Sequence, residues 1–161
     1  MSQTHHSPSD RVFLVVVDDS EEMRAALYFA CERARKTKGR VALLRVIEPQ
    51  EFQGFATIGN LMQQEARDEA EALLNRMAAK VNDLSGKLPE LYVREGQPRE
   101  ELIRLINEDP QISILVLAAD TGPRGPGPLV TALAGKFIGK LRVPLTIVPG
   151  NLTDEQLGAI C

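Results

Sequence analysis

Two short stretches of this chain carry groups able to do chemistry. The first is Val17-Asp18-Asp19-Ser20, where an apolar run beginning at Val12 ends in two carboxylates and a hydroxyl. Neighbouring carboxylates at a strand end are able to hold Mg²⁺. Asp18 is equally suited to assisting the start of a following helix. The second stretch follows the apolar run Ile112 to Ala118. Residues 119–128 hold three glycines, Gly122, Gly125 and Gly127, three prolines, and the cation Arg124. Glycines without Cβ let a loop turn bare N–H groups toward an anion such as a phosphate, and Arg124 is able to pair with one. The prolines also suit a stiff connector, so the loop by itself admits both readings.

These groups need elements to position them, and the sequence alternates strand and helix. Val12 to Val17 reads as a strand buried on both faces. Ser20 is a candidate helix cap, with Glu21 and Glu22 in the first turn, and Met23, Leu27, Ala30, Cys31 and Ala34 form an apolar stripe that ends at Gly39. Val41 to Ile47 is the second strand, and Glu48 to Gly59 a longer loop in which Phe52 and Phe55 are placed to cover a crevice or to pack on a helix. A helix is expected from Leu61 to Leu84, a short strand from Leu91 to Arg94, and a helix from Arg99 to Glu108 stopped by Asp109-Pro110. Ile112 to Ala118 is the fourth strand, Leu129 to Leu141 the fourth helix, and Pro144 to Val148 the fifth strand. Thr153-Asp154-Glu155 resembles a helix cap near the end of the chain.

Alternation of this kind implies an α/β domain with a parallel sheet and helices on both faces. In such sheets ligands bind outside the carboxyl ends of the strands, where the strand order reverses. If the first and fourth strands are neighbours, Asp18 and the glycine loop face one crevice.

Composition narrows the function. At 161 residues, 43% of them hydrophobic and 25% charged, the chain suits one globular domain. Its net charge of −3 argues against nucleic acid as a partner. No apolar run is long enough for a membrane span, and the polar start lacks a signal-peptide core, so a cytoplasmic protein is expected. Cys31 and Cys161 give no disulfide framework and no metal spacing. The only imidazoles, His5 and His6, precede the first strand, which excludes a His-based catalytic site from the body of the domain.

Two families share motifs with the chain. Val15-Val16-Val17-Asp18-Asp19-Ser20 with Met23-Arg24 resembles the receiver domains of two-component signalling, but the likeness stops there. No Asp occurs between Asp19 and Asp68 to serve as phosphoacceptor, and the fifth strand ends Ile147-Val148-Pro149-Gly150 without the required Lys. The fuller resemblance, over Arg11 to Gly150, is to the universal stress protein family. It rests on Val17-Asp18 before a helix, Leu43-Leu44-Arg45-Val46-Ile47-Glu48-Pro49, Arg94-Glu95-Gly96-Gln97-Pro98-Arg99-Glu100-Glu101-Leu102-Ile103, and Val143-Pro144-Leu145-Thr146-Ile147-Val148-Pro149.

That resemblance implies a Rossmann-like three-layer sandwich with a five-stranded parallel sheet of order 3-2-1-4-5. It divides the chain into a disordered tail (residues 1–10), the domain (11–150) and a C-terminal tail (151–161). It also implies a homodimer, often paired through the fifth strand, and in some members ATP, with Mg²⁺, between the first and fourth strands. Carried onto this chain, Asp18 matches the acidic residue on the adenine side, Val46 the strand position whose backbone faces adenine, and Gly96 the turn after the third strand. The ATP-binding pattern Gly-x2-Gly-x9-Gly-Ser/Thr fits in two ways. Taken literally it selects Gly122, Gly125 and Gly135-Lys136. Gly135 lies nine residues before Pro144, which shortens the fourth helix by about a turn. The gapless alignment instead places Ala118, Thr121, Thr131 and Ala132 at the pattern's positions, which removes the signature and leaves Gly122, Arg124, Gly125 and Gly127 as a local variant loop. The expected role is stress-linked binding or regulation, with slow ATP hydrolysis as the upper limit of catalysis. The alternative is a member that binds no nucleotide and acts as a dimeric protein-interaction module.

Overall fold

The computed structural model describes residues 10–49 and 56–161. The expected N-terminal tail, apart from Asp10, lies outside the described residues, as do Phe52 and Phe55.

The sheet is assembled from five strands: β1 (Val12–Val16), β2 (Arg40–Ile47), β3 (Glu90–Glu95), β4 (Ile112–Ala119) and β5 (Leu145–Pro149). All pairs are parallel and the order is β3-β2-β1-β4-β5. Strand order therefore reverses between β1 and β4, as the resemblance implies. Alternate residues of β1 serve opposite cores because successive side chains point to opposite faces. Phe13 and Val15 join Val41, Leu43 and Val116 under helices α1 (Met23–Thr37) and α2 (Ala56–Ser85). Val12 and Leu14 join Ala42, Leu44, Leu115 and Leu117 under α3 (Pro98–Glu108) and α4 (Pro128–Ala134). With buried cores on both faces, the central strands had to be continuously apolar, which is why periodicity exposed them.

Helix α1 begins later than Ser20. Glu22 occupies the N-cap without a side-chain cap bond. Ser20 is held instead by Asp18, whose Oδ1 accepts from the Ser20 N–H at 2.9 Å and from its hydroxyl at 2.5 Å. The hydroxyl that reads as a cap belongs to a turn formed one step earlier. At the other end the helix closes on Lys38 in the left-handed region, φ 58°, one residue before Gly39.

Helix α2 starts at Ala56, five positions before the expected Leu61, so Gly59 lies within the helix. Its inward face is the expected one: Ala70, Leu74 and Val81 are buried, with Leu73, Met77 and Leu84 packed beside them. Helix α4 departs further. It stops at Ala134, and only a 3-10 turn, Ile138–Lys140, follows in place of helix to Leu141. Gly135 is a poor helix former and takes non-helical angles, φ −105° and ψ −116°. Phe137 and Leu141 still pack on the core shared with Leu133, so the apolar spacing persists through backbone that is not helical.

The chain ends in α5 (Asp154–Ile160), with Thr153 and Gln156 forming a reciprocal capping box. Leu157 is fully buried against α1, and Arg24 of α1 pairs with Asp154.

Candidate functional site

The carboxyl ends of β1 and β2 open into a crevice of about 530 Å³, within the usual range for small-molecule pockets. Its floor is Val16, Val17, Asp18 and Asp19 from the end of β1, with Arg45, Val46 and Glu48 from β2. Gln97, Pro98 and Arg99, the entry to α3, form one wall, and Pro128, Leu129 and Ala132 of α4 another. A smaller cleft of about 100 Å³ continues toward β4, where Asp18 and Ser20 meet Ala118 and Gly127.

Each wall follows from its local sequence. Asp18 leaves β1 at the switch point, and its turn with Ser20 holds the carboxylate at the strand end. Asp19 is far more exposed, with 85% of its side-chain surface free, and stands 3.8 Å from the Arg45 guanidinium. Val46 packs into the α3–α4 core with only its edge at the crevice. The turn into α3 depends on Gly96, at φ 149°, whose N–H donates to the Ile47 carbonyl at 2.9 Å. A Cβ there would stand 2.7 Å from Oε1 of Glu101, a carboxylate buried under the turn and bonded by Arg104 at 2.5 Å. Gly96 is thus the hinge that delivers Gln97 to Arg99 to the site, although it does not line the crevice.

The expected site residues divide into two sets. Asp18 and Val46 meet in the main crevice, and Asp18, Ala118 and Gly127 in the small cleft. Gly122, Arg124, Gly125 and Thr131 line neither. The loop uses its own amides: the Gly122 N–H donates to Asp120 Oδ1 at 2.9 Å, the Gly125 N–H to the Gly122 carbonyl at 3.3 Å, and the Asp120 N–H to the Pro126 carbonyl at 3.2 Å. Thr131 is exposed on α4, and its N–H donates to Gly127. Gly135 caps the C-terminal end of α4, and Thr131 and Ala132 lie in the middle of that seven-residue helix.

Two residues of the site carried a signal that motif reading passes over. Arg45 is a charge inside the otherwise apolar strand Val41-Ala42-Leu43-Leu44-Arg45-Val46-Ile47. Arg99 is a cation in the first turn of a helix, where the dipole disfavours it. Its guanidinium carbon lies 3.9 Å from the centre of the Phe137 ring. Among the described residues the crevice presents no Ser, Thr, Cys, His, Lys or Tyr side chain, and no group of three His, Cys, Asp or Glu residues is arranged to hold a metal.

The family model described as "Universal stress protein family" matches residues 11–149. Among solved structures, universal stress protein UspA from Lactobacillus plantarum is 19% identical, with a TM-score of 0.67 over 86% of this chain and 97% of that one. A universal stress protein family protein from Arabidopsis thaliana with AMP bound is 18% identical, with a TM-score of 0.62 over 91% of this chain and 94% of that one. The universal stress protein from Archaeoglobus fulgidus in complex with dAMP is 18% identical, with a TM-score of 0.56 over 86% of this chain and 96% of that one. Among curated proteins none matches the chain.

Proposed function

The chain belongs to the universal stress protein family, and from that premise we propose that it is a stress-linked binding or regulatory protein whose crevice above β1 and β2 takes an adenine nucleotide. One observation carries the reading: a crevice of about 530 Å³ lies at the carboxyl ends of the strands, beside the β1/β4 reversal, with Asp18 and Val46 on its floor. That is where an open α/β sheet places its ligands. Structural relatives with AMP and dAMP bound support the choice of ligand. ATP belongs to the same class, and Mg²⁺ would enter with it as a counterion.

The reading is of a binder and not a catalyst. The described crevice residues offer carboxylates and guanidiniums but no nucleophile held beside a base, as nucleophilic catalysis requires. We place the protein in the cytoplasm, without a membrane or nucleic-acid partner. The net charge of −3 supports this, and no described helix is long and apolar enough to cross a membrane.

A second reading, a dimeric interaction module, is favoured by β5. This strand is an edge of the sheet and exposes Ile147. An unpaired apolar edge is a template for another strand, so we place a homodimer contact there.

Calorimetric titration of AMP and Mg-ATP into the wild type and Ala132→Trp tests the nucleotide reading. Ala132 lines the crevice together with Asp18 and Val46, so a bulky side chain there is expected to take up ligand space. Binding to the wild type, weakened at least 10-fold in a variant that still melts cooperatively, is the expected result (about 1.4 kcal/mol). Equal affinity in both would move the ligand out of this crevice, and no binding of either nucleotide would leave the dimeric module as the function.

A further inference from the structure

A second cavity, of about 250 Å³, lies between the carboxyl end of β2 and helix α2. Strand alternation explains its floor. Val41 and Leu43 of β2 belong to the core under α1 and α2, so Arg45, at the next alternate position, faces the same side. The space is left by small residues of α2. Ala66 and Ala70, four residues apart on one face of the helix, border it, whereas Leu74 fills the equivalent place one turn later. Glu69, Ala72 and Arg76 follow one another at i, i+3 and i+7 and border the same opening.

Four charged side chains therefore reach this cavity: Asp19, Arg45, Glu69 and Arg76. Arg45 and Asp19 stand 3.8 Å apart, too far for a hydrogen bond. Only 22% of the Arg45 side chain is exposed, yet its guanidinium makes no hydrogen bond to any described residue. Glu69 and Arg76 have neither an ion pair nor a hydrogen bond among the described residues, although only Ala72 separates them along the opening.

Two guanidiniums and two carboxylates around one small space restrict what enters it. A simple anion meets Asp19 and Glu69, and a simple cation meets Arg45 and Arg76. A molecule that carries both a carboxylate and an ammonium finds a partner for each. The planar guanidinium fork matches a carboxylate, and the side-chain carboxylates accept from an ammonium. Ile47 and Leu73 add an apolar wall for the rest of such a molecule. The volume falls below the roughly 300–1,000 Å³ usual for drug-sized ligands, which suits something smaller than a nucleotide.

We propose that the cavity between β2 and α2 is a second binding site, for a small zwitterion of the free amino acid class. The terminal N–H groups of Arg45 take its carboxylate, and Asp19 or Glu69 takes its ammonium. This assignment does not rest on the nucleotide reading.

The test is calorimetric titration of the full chain with alanine, leucine and methionine. Each is compared with the amine and the carboxylate that lack one of its charges, which for leucine are 3-methylbutylamine and 4-methylpentanoate. At least one amino acid should bind, about 10-fold or more tighter than either of its analogues, because each analogue forfeits one charge-assisted contact. Arg45→Gln should weaken that binding by about 10-fold. Ala66→Leu, at a half-buried position, narrows the cavity and should weaken it as well. The wild-type titration needs no variant to fold, so silence from all three amino acids at millimolar concentration overturns the proposal. Equal affinity for an amino acid and either analogue overturns it too. Unchanged affinity in a folded Arg45→Gln or Ala66→Leu has the same effect, because the ligand then lies outside this cavity.

Discussion

Replacing Gly96 by Ala tests whether the turn into α3 is built as described. The residue sits at φ 149°, where an L side chain costs about 1–3 kcal/mol of backbone strain. Its new Cβ would stand 2.7 Å from Oε1 and 2.8 Å from Cγ of Glu101. Glu101 is only 7% exposed, and its carboxylate is bonded to Arg104, so it yields only by repacking, at roughly 1 kcal/mol. The sum is about 2–4 kcal/mol, or a melting temperature lower by about 5–15 °C in a domain of this size. Urea unfolding followed by circular dichroism measures it. The two contributions separate in a double-mutant cycle with Glu101→Ala, which deletes the contacted atoms. In that background Gly96→Ala should cost only the strain, giving a coupling of about 1 kcal/mol. The reasoning fails if Gly96→Ala costs less than about 0.5 kcal/mol, the range of a neutral surface change. A coupling of zero would remove the Glu101 contact from the account and leave strain alone. Because this turn delivers Arg99 to the crevice, ligand affinity should fall along with stability.

The Asp18 turn predicts that Asp18→Ala loses about 1 kcal/mol while Asp18→Asn, which keeps the acceptor for Ser20, loses much less; thermal melts of the pair decide it. Burial pushes the Cys31 thiol up to about 12, so it stays neutral in the fold at pH values where the unfolded chain has ionised. That contribution is complete below the unfolded thiol value and disappears as pH rises toward 12. Wild-type stability should therefore fall by up to about 3–4 kcal/mol more than that of Cys31→Ala across this alkaline window, and parallel curves in urea titrations at stepped pH would exclude the effect. At the sheet edge, Ile147→Lys should convert a dimer to a monomer in light-scattering chromatography with little change in melting temperature. A wild type that is already monomeric, or a variant that stays dimeric, takes the interface away from β5.

What the sequence disclosed and what it withheld have the same physical cause. The sheet was legible because β1, β2 and β4 are covered on both faces, which forces runs such as Val12 to Val17 that no amphipathic helix would carry. Helix boundaries were less legible wherever a side chain had a closer partner than the helix. Ser20 has the chemistry of a cap, yet Asp18, two residues away, takes its N–H and hydroxyl first. The apolar spacing to Leu141 is real, but Gly135 breaks the backbone while Phe137 and Leu141 keep to the core, so periodicity overstated α4. The glycine loop shows the same competition at the site. Composition records that Gly122 and Gly125 have N–H groups free of Cβ, but not that the Asp120 carboxylate and the Gly122 carbonyl lie close enough to bond those amides first. A loop rich in glycine is an anion site only when its amides lack nearer acceptors. In this chain that condition fails at residues 120–126, while an isolated charge in an apolar strand, Arg45, meets its converse as a donor without an acceptor.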